Sequence, residues 1–216
     1  MKKKRPVKMS EKTAGQLIQE LSTAGRYPHP DLINEIWERR AETEPLLLAL
    51  FDEAYDDDWA DDEDPRWYRL VHAGKFMLSW QNPEALPTFG RLYQTDEERI
   101  DWREWFEEDL VHYGSAVIPY LEPIIRADSG EAWDYGQGLS ISILTQIATY
   151  YPETRDQVIA IFRSLLPSPD SLSQNRDELW GDLAMGLAEL QDEGSQEQIL
   201  ALDDADALVG DIFYRP

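Results

Sequence analysis

From Trp67 to Leu78 the apolar positions are Trp67, Leu70, Val71, Gly74, Met77 and Leu78. Steps of three, four and seven residues return to one side of a helix, whereas a strand would alternate at every second residue. The same spacing recurs at Trp102, Trp105, Phe106, Leu110 and Tyr113, at Ile143, Leu144, Ile147 and Tyr151, and at Trp180, Leu183, Ala184 and Leu187. No segment shows the period-two alternation of a sheet, so the spacing predicts an all-α chain.

Each of these segments is followed by a turn signal and a second apolar stretch. Asn82-Pro83 reads as an N-cap with proline at the first helical position, where its missing N–H costs nothing. Tyr151-Pro152-Glu153 and Asp192-Glu193-Gly194-Ser195 punctuate later pairs. The second stretches overlay without a gap: ALPTFGRLYQTD (85–96) on VIPYLEPIIRAD (117–128) pairs Leu86 with Ile118, Phe89 with Leu121, Leu92 with Ile124 and Tyr93 with Ile125. VIAIFRSLL (158–166) repeats the frame at Ile159, Phe162, Leu165 and Leu166. Helix pairs at roughly 40-residue spacing predict an irregular HEAT-like α-solenoid of stacked antiparallel helix pairs, in which neighbours share a core that no single pair can close. Gly74, Gly138, Gly181 and Gly186 lie inside first helices, where glycine costs about 1 kcal/mol against alanine. Close helix packing is the expected reason for them.

The N-terminal region continues the pattern. Residues 1–10, MKKKRPVKMS, read as a basic disordered tail, and residues 11–216 as a single solenoid domain. Thr13 to Leu21 is amphipathic. Pro30-Asp31 opens a second helix with Leu32, Ile33, Ile36 and Trp37 inward. Pro45 is expected to open a third, with Leu46, Leu47, Leu50, Phe51 and Ala54 apolar.

Between that helix and the one near Trp67 lies an acidic inter-repeat loop, 52–64, with nine acidic side chains and no basic one. Like charges at neighbouring positions repel and aspartate is a poor helix former, so residues 56–64 are expected to leave the helix and stay exposed. Asp56, Asp57, Asp58, Trp59, Asp61, Asp62, Glu63 and Asp64 are the candidate partner-binding residues, with Trp59 as an apolar anchor among the acids. The charge of the whole chain is −23, from 43 acidic and 20 basic residues. Five of the positive charges sit in the tail, and only Lys12 and Lys75 among the lysines lie outside it. Such a field repels nucleic acid and anionic lipid and attracts basic proteins. No apolar run approaches the roughly 20 residues that span a bilayer, and the absence of cysteine excludes disulfides and thiolate metal sites. A cytoplasmic protein without membrane or nucleic-acid partners is expected.

The segments FDEAYDDDW, WYRLVHAGKFMLSWQNPEALPTFGRLYQ, DWREWFEEDL and NRDELWGDLAMGLAEL together resemble an uncharacterised bacterial family of HEAT-like helical-repeat proteins, classed as a domain of unknown function. The likeness spans roughly residues 14–214 and rests mostly on packing positions. It implies the helical-repeat fold and no catalytic residues. Some members of that family carry a cysteine-containing SEC-C zinc tail; with no cysteine here and the end FYRP, that module is not expected.

Little else looks chemical. Glu108 and His112 stand four apart, a spacing that presents a carboxylate and an imidazole on one helix face. Zincin chemistry needs a second histidine, and the two others, His29 and His72, have no ligand spacing. His72 beside Val71 and Ala73 reads as a satisfied polar group between helices. DDDWADDED lacks the central glycine and spaced glutamate of a calcium loop. Tyr135-Gly136-Gln137-Gly138 lacks the strand and third glycine of a phosphate cradle. The tryptophans at 67, 102, 105, 133 and 180 fit core positions. No cofactor or metal is called for. The sequence favours a non-enzymatic protein-binding module or adaptor with an acidic surface for a basic partner. The alternatives are an acidic structural or housekeeping subunit adapted for solubility, and a metal-dependent enzyme using Glu108 and His112.

Overall fold

The computed structural model describes residues 9–56, 64–94, 102–103, 105–127, 135–168, 172 and 177–208. These residues form helices joined by turns and short irregular connections, with no strand among them. The chain divides into two compact units, residues 1–88 and 89–216.

Among the described residues of the first unit, the first element is a 3₁₀ turn, Met9–Glu11. Helix α1 (Ala14–Leu21) starts in a capping box: the Thr13 hydroxyl accepts from the Gln16 amide at 3.3 Å, and the Gln16 side chain accepts from the Thr13 amide at 2.9 Å. Helix α2 (Pro30–Glu38) begins with proline at its first position, capped by His29, whose Nδ1 accepts from the Asp31 amide. Its buried stripe is Leu32 and Ile36. Trp37 was expected inward but lies one step past that stripe, 49% exposed, with its ring resting on Phe76 and Trp80.

Helix α3 (Arg40–Asp56) corrects a second expectation. It begins ahead of Pro45, which sits inside it. The lost proline donor is offset by contacts that hold the earlier turn. The buried Thr43 hydroxyl donates to Ile36 O at 2.9 Å and stitches α2 to α3. Arg40 pairs with Glu44 one turn on. Helix α3 packs chiefly against α4 (Arg69–Trp80), and also against α1. A 3₁₀ turn, Pro65–Tyr68, precedes α4, so Trp67 lies outside that helix and is half-buried. Helix α5 (Leu86–Tyr93) contains the division between the units.

The second unit departs most from expectation between Trp102 and Tyr113. The apolar spacing predicts one helix, and the structure gives a four-residue helix α6 (Glu107–Leu110) followed by a 3₁₀ stretch, Val111–Val117. Gly114, with φ 55° and ψ −133°, breaks it. Trp102, Phe106 and Leu110 are buried all the same, and Phe106 meets Phe89 edge-on at 5.3 Å. Helix α7 (Ile118–Arg126) follows, then α8 (Tyr135–Tyr150), α9 (Arg155–Leu165), α10 (Asp177–Glu189) and α11 (Gln196–Asp204). Helix α8 is central: α7, α9 and α10 all pack on it. Its sequence, YGQGLSISILTQIATY, has no charge, as a helix surrounded by others requires. The buried Gln137 amide lies 2.9–3.2 Å from the carbonyls of Ile124, Ile125 and Ala127, and so satisfies the C-terminal end of α7. Gly136-Gln137-Gly138 thus form the first turn of a packed helix. The Ser140 and Thr145 hydroxyls turn back onto carbonyls four residues earlier, at 2.7 and 2.9 Å.

Two helix joints share one construction. Helix α4 ends at Gln81 (φ 51°), with the Asn82 amide on Met77 O at 3.0 Å; α10 ends at Gln191 (φ 52°), with the Asp192 amide on Leu187 O at 2.9 Å. Both are Schellman closures with glutamine in the left-handed position usually given to glycine. Each is followed by a 3₁₀ turn, Pro83–Ala85 or Glu193–Ser195, that feeds the next helix. A third turn of this kind, Pro152–Thr154, joins α8 to α9. At each joint a polar side chain is buried: Asn82, Thr154 or Ser195. The aligned positions Leu86, Phe89, Ile118, Leu121, Ile159 and Phe162 are all buried.

Candidate functional site

Of the acidic run, only the ends can be placed. Asp56 is the exposed last residue of α3. Asp64 caps the 3₁₀ turn before α4, accepting from the Arg66 amide at 2.9 Å, and the Arg66 guanidinium closes on its carboxylate at 2.6 Å. Those hydrogen bonds hold the Asp64 carboxyl down to about 2. Asp64 is therefore committed within the chain. Asp57, Asp58, Trp59, Asp61, Asp62 and Glu63 lie outside the described residues.

The cations show a consistent habit. Lys12 pairs with Glu20, Arg39 with Glu42, Arg40 with Glu44, Arg66 with Asp64, Arg126 with Glu122 and Arg163 with Asp192. Arg155 donates to the Leu190 carbonyl, and Arg39 also to that of Lys12. Arg103 is buried at 1% exposure. The protein's own carboxylates and carbonyls take up the charges of Lys12, Arg39, Arg40, Arg66, Arg126, Arg155 and Arg163. With 43 acids against 20 bases, the surplus that faces outward is negative.

The histidines do not assemble a site. Glu108 and His112 are both exposed, and the change from α6 to the 3₁₀ stretch at Val111 breaks the continuous α-helical face that their spacing assumed. No group of three or more metal-ligating side chains comes together among the described residues. His72 Nε2 lies 2.7 Å from Gly25 O. A carbonyl only accepts, so Nε2 carries the proton. Burial holds the ring's pKa below its ordinary value, against the opposing pull of that hydrogen bond. His72 joins α4 to the turn after α1, where Gly25 takes φ +69°.

One concavity stands out. A groove of about 380 Å³ runs between the C-terminal end of α10, the joint after it and α11, lined by Ala188, Gln191, Asp192, Glu193, Gln196, Ile199 and Leu200. Ile199 is its buried floor, while Leu200 is 47% exposed. Met185, 39% exposed, stands one turn before Ala188 on the same side of α10. Asp192 is fixed from one wall by Arg163, whose Nε reaches Oδ2 at 2.7 Å and holds the carboxyl below its usual range. Glu193 in the lining, and Glu189 and Glu197 next in the chain to lining residues, are exposed, and among the described residues no cation pairs with them. The lining residues of the groove were not singled out from sequence. The available signal was a surplus in QEQILALDD: Ile199 and Leu202 make one buried stripe, and Leu200 lies off it.

No protein-family model matches the chain, no curated protein matches it and no solved structure matches it. No helix among the described residues is long and apolar enough to cross a membrane.

Proposed function

We propose that this chain is a non-enzymatic protein-binding module, a short HEAT-like solenoid of antiparallel helix pairs whose acidic surface takes a basic partner. The observation that carries the reading is the fate of the charges. Lys12, Arg39, Arg40, Arg66, Arg126, Arg155 and Arg163 are held by internal acceptors, which leaves the acidic surplus to act on whatever approaches. A field of that sign speeds the arrival of cationic proteins and rejects anionic ones. The matching joints after α4 and α10, and the burial of the aligned frame, support the repeat architecture. In this reading the acids of 56–64 and Trp59 contribute to capture.

The test is binding of the immobilised full chain to a defined cationic probe, a lysine–serine peptide, at low and high salt. Binding should fall steeply with salt as screening rises. Replacing Asp57, Asp58, Asp61 and Asp62 with Asn should weaken binding at low salt while leaving the helical circular-dichroism signal intact. Equal binding by parent and variant would remove the acidic run from the partner site. No binding by the parent at low salt would overturn the module reading in favour of an acidic subunit whose charge serves solubility.

A further inference from the structure

The groove between α10 and α11 combines two features. It offers apolar area to a partner: Leu200 is exposed, Ala188 widens the wall and Ile199 makes the floor, and Met185 is exposed one turn before Ala188 on α10. Its surroundings are acidic: Glu193 is in the lining, Glu189 follows Ala188 and Glu197 follows Gln196 in the chain, and all three are exposed. Asp192, the one carboxylate in its lining with a described cation, is already neutralised by Arg163 and so shapes the wall without repelling an apolar guest. The joint is stiff. Gln191 is locked in a left-handed closure, Ser195 is buried with its hydroxyl on Asp192 O at 3.1 Å, and the Gln198 amide ties α11 to Pro167 O at 2.9 Å. A groove held this way exists before a partner arrives, which lowers the ordering cost of binding.

We propose that this groove is the docking slot for a short basic amphipathic segment of a partner protein. One or two of the segment's apolar side chains seat on Ile199 between Ala188 and Leu200, and its lysines or arginines lie over Glu189, Glu193 and Glu197. The size of the groove sets the scale. It holds one or two side chains rather than the roughly 800 Å² per partner of a stable interface, so the contact is a transient docking of a peptide-like element. Charge complementarity fixes the sign of the guest: an acidic or phosphorylated segment meets three exposed carboxylates that no cation among the described residues pairs with. Met185 suits the role, because a flexible thioether adapts to differing guests. The proposal rests on the protein-binding reading above and adds to it a place and a partner pattern.

The experiment measures fluorescence anisotropy of three labelled synthetic peptides of equal length with the full chain. One carries leucines at helical spacing among lysines, one carries glutamate in place of those lysines, and one carries serine in place of the leucines. The leucine–lysine peptide should bind about tenfold more tightly than the lysine–serine peptide, and the leucine–glutamate peptide should not bind. Leu200→Ser should erase that gain while leaving lysine–serine binding unchanged. Because Leu200 is exposed, the variant keeps its fold, and circular dichroism checks it. Ala188→Gln, which fills the wall, should do the same. If the gain survives both substitutions, the slot is elsewhere and this proposal fails while the acidic-surface reading stands. If neither basic peptide binds the parent chain, the broader reading itself falls. If sedimentation shows that the parent self-associates and Leu200→Ser abolishes it, a second copy is the occupant and the proposal is overturned.

Discussion

His72 shows how one residue records its surroundings in a measurable pH dependence. Its Nε2–H donates to Gly25 O at 2.7 Å, and burial pushes its pKa down. An unfolded chain with an ordinary histidine, near 6.5, binds the proton more readily than the folded one. Stability from this group is therefore fully present above about pH 6.5 and is lost as pH falls through the lower folded value. We expect the urea midpoint of the parent to drop between pH 7.5 and 5.5, and His72→Gln to flatten that drop, since the amide still donates to Gly25 O and does not titrate. A parallel drop in the variant would show that another group governs the window. Asp192 is separable from this effect. Its carboxyl is held low first by the hydrogen bond from Arg163, so its contribution disappears only as pH falls below the ordinary carboxylate range. The residue scale was partly legible in advance: His72 was readable as a satisfied group between helices, but its partner in the turn at Gly25 was not, because nothing in the local sequence brings the two segments together.

Helix joints carry the next level. At Gly186 in α10, an added Cβ would lie 2.8 Å from Thr145 Oγ1 and 2.9 Å from a ring carbon of Phe162, so three helices meet where only a hydrogen fits. Gly186→Ala should raise intrinsic helix propensity by about 1 kcal/mol and still destabilise the chain by about 1–3 kcal/mol through overpacking. A stabilised variant in urea titration would show that α8 and α9 can move apart. The left-handed closures work the other way. Gln81 and Gln191 hold a conformation that costs a non-glycine residue about 1–2 kcal/mol, so Gln81→Gly should raise the urea midpoint, and a lowered midpoint would mean that the glutamine side chain contributes more than its backbone loses. Helices and most of their buried faces could be read from the three-and-four spacing, as the burial of Leu86, Phe89, Ile118, Leu121, Ile159 and Phe162 shows. The misreadings have physical causes. Pro45 looked like a helix start, but Thr43 and the Arg40–Glu44 pair hold a turn ahead of it. The stretch from Trp102 to Tyr113 kept its apolar spacing, but the turn at Trp105-Phe106 and the 3₁₀ stretch from Val111 interrupt the helix that spacing implied. The groove was hidden because adjacent apolar residues such as Ile199 and Leu200 cannot be sorted into floor and rim until α10 is in place.

For the whole molecule the governing quantity is the imbalance of 43 acids over 20 bases. Self-repulsion of a formal charge of −23 disfavours the compact state, and added salt screens it over a Debye length of about 10 Å at 0.1 M. Salt also weakens the ion pairs of Lys12, Arg39, Arg40, Arg66, Arg126 and Arg163, which pulls the other way. Magnitude decides between them. Exposed or half-exposed pairs contribute about 0–1 kcal/mol each, and they join residues close in space, where screening acts least. The surplus repulsion runs across longer distances and is screened first. The melting temperature should therefore rise by several degrees between about 10 mM and 0.5 M sodium chloride, given that about 1 kcal/mol shifts a domain of this size by about 2–4 °C. Sodium and potassium chloride should act alike, since screening depends on ionic strength and not on a bound ion. A melting temperature that falls with salt would show that the paired arginines, and not the unpaired acids, set the electrostatic stability.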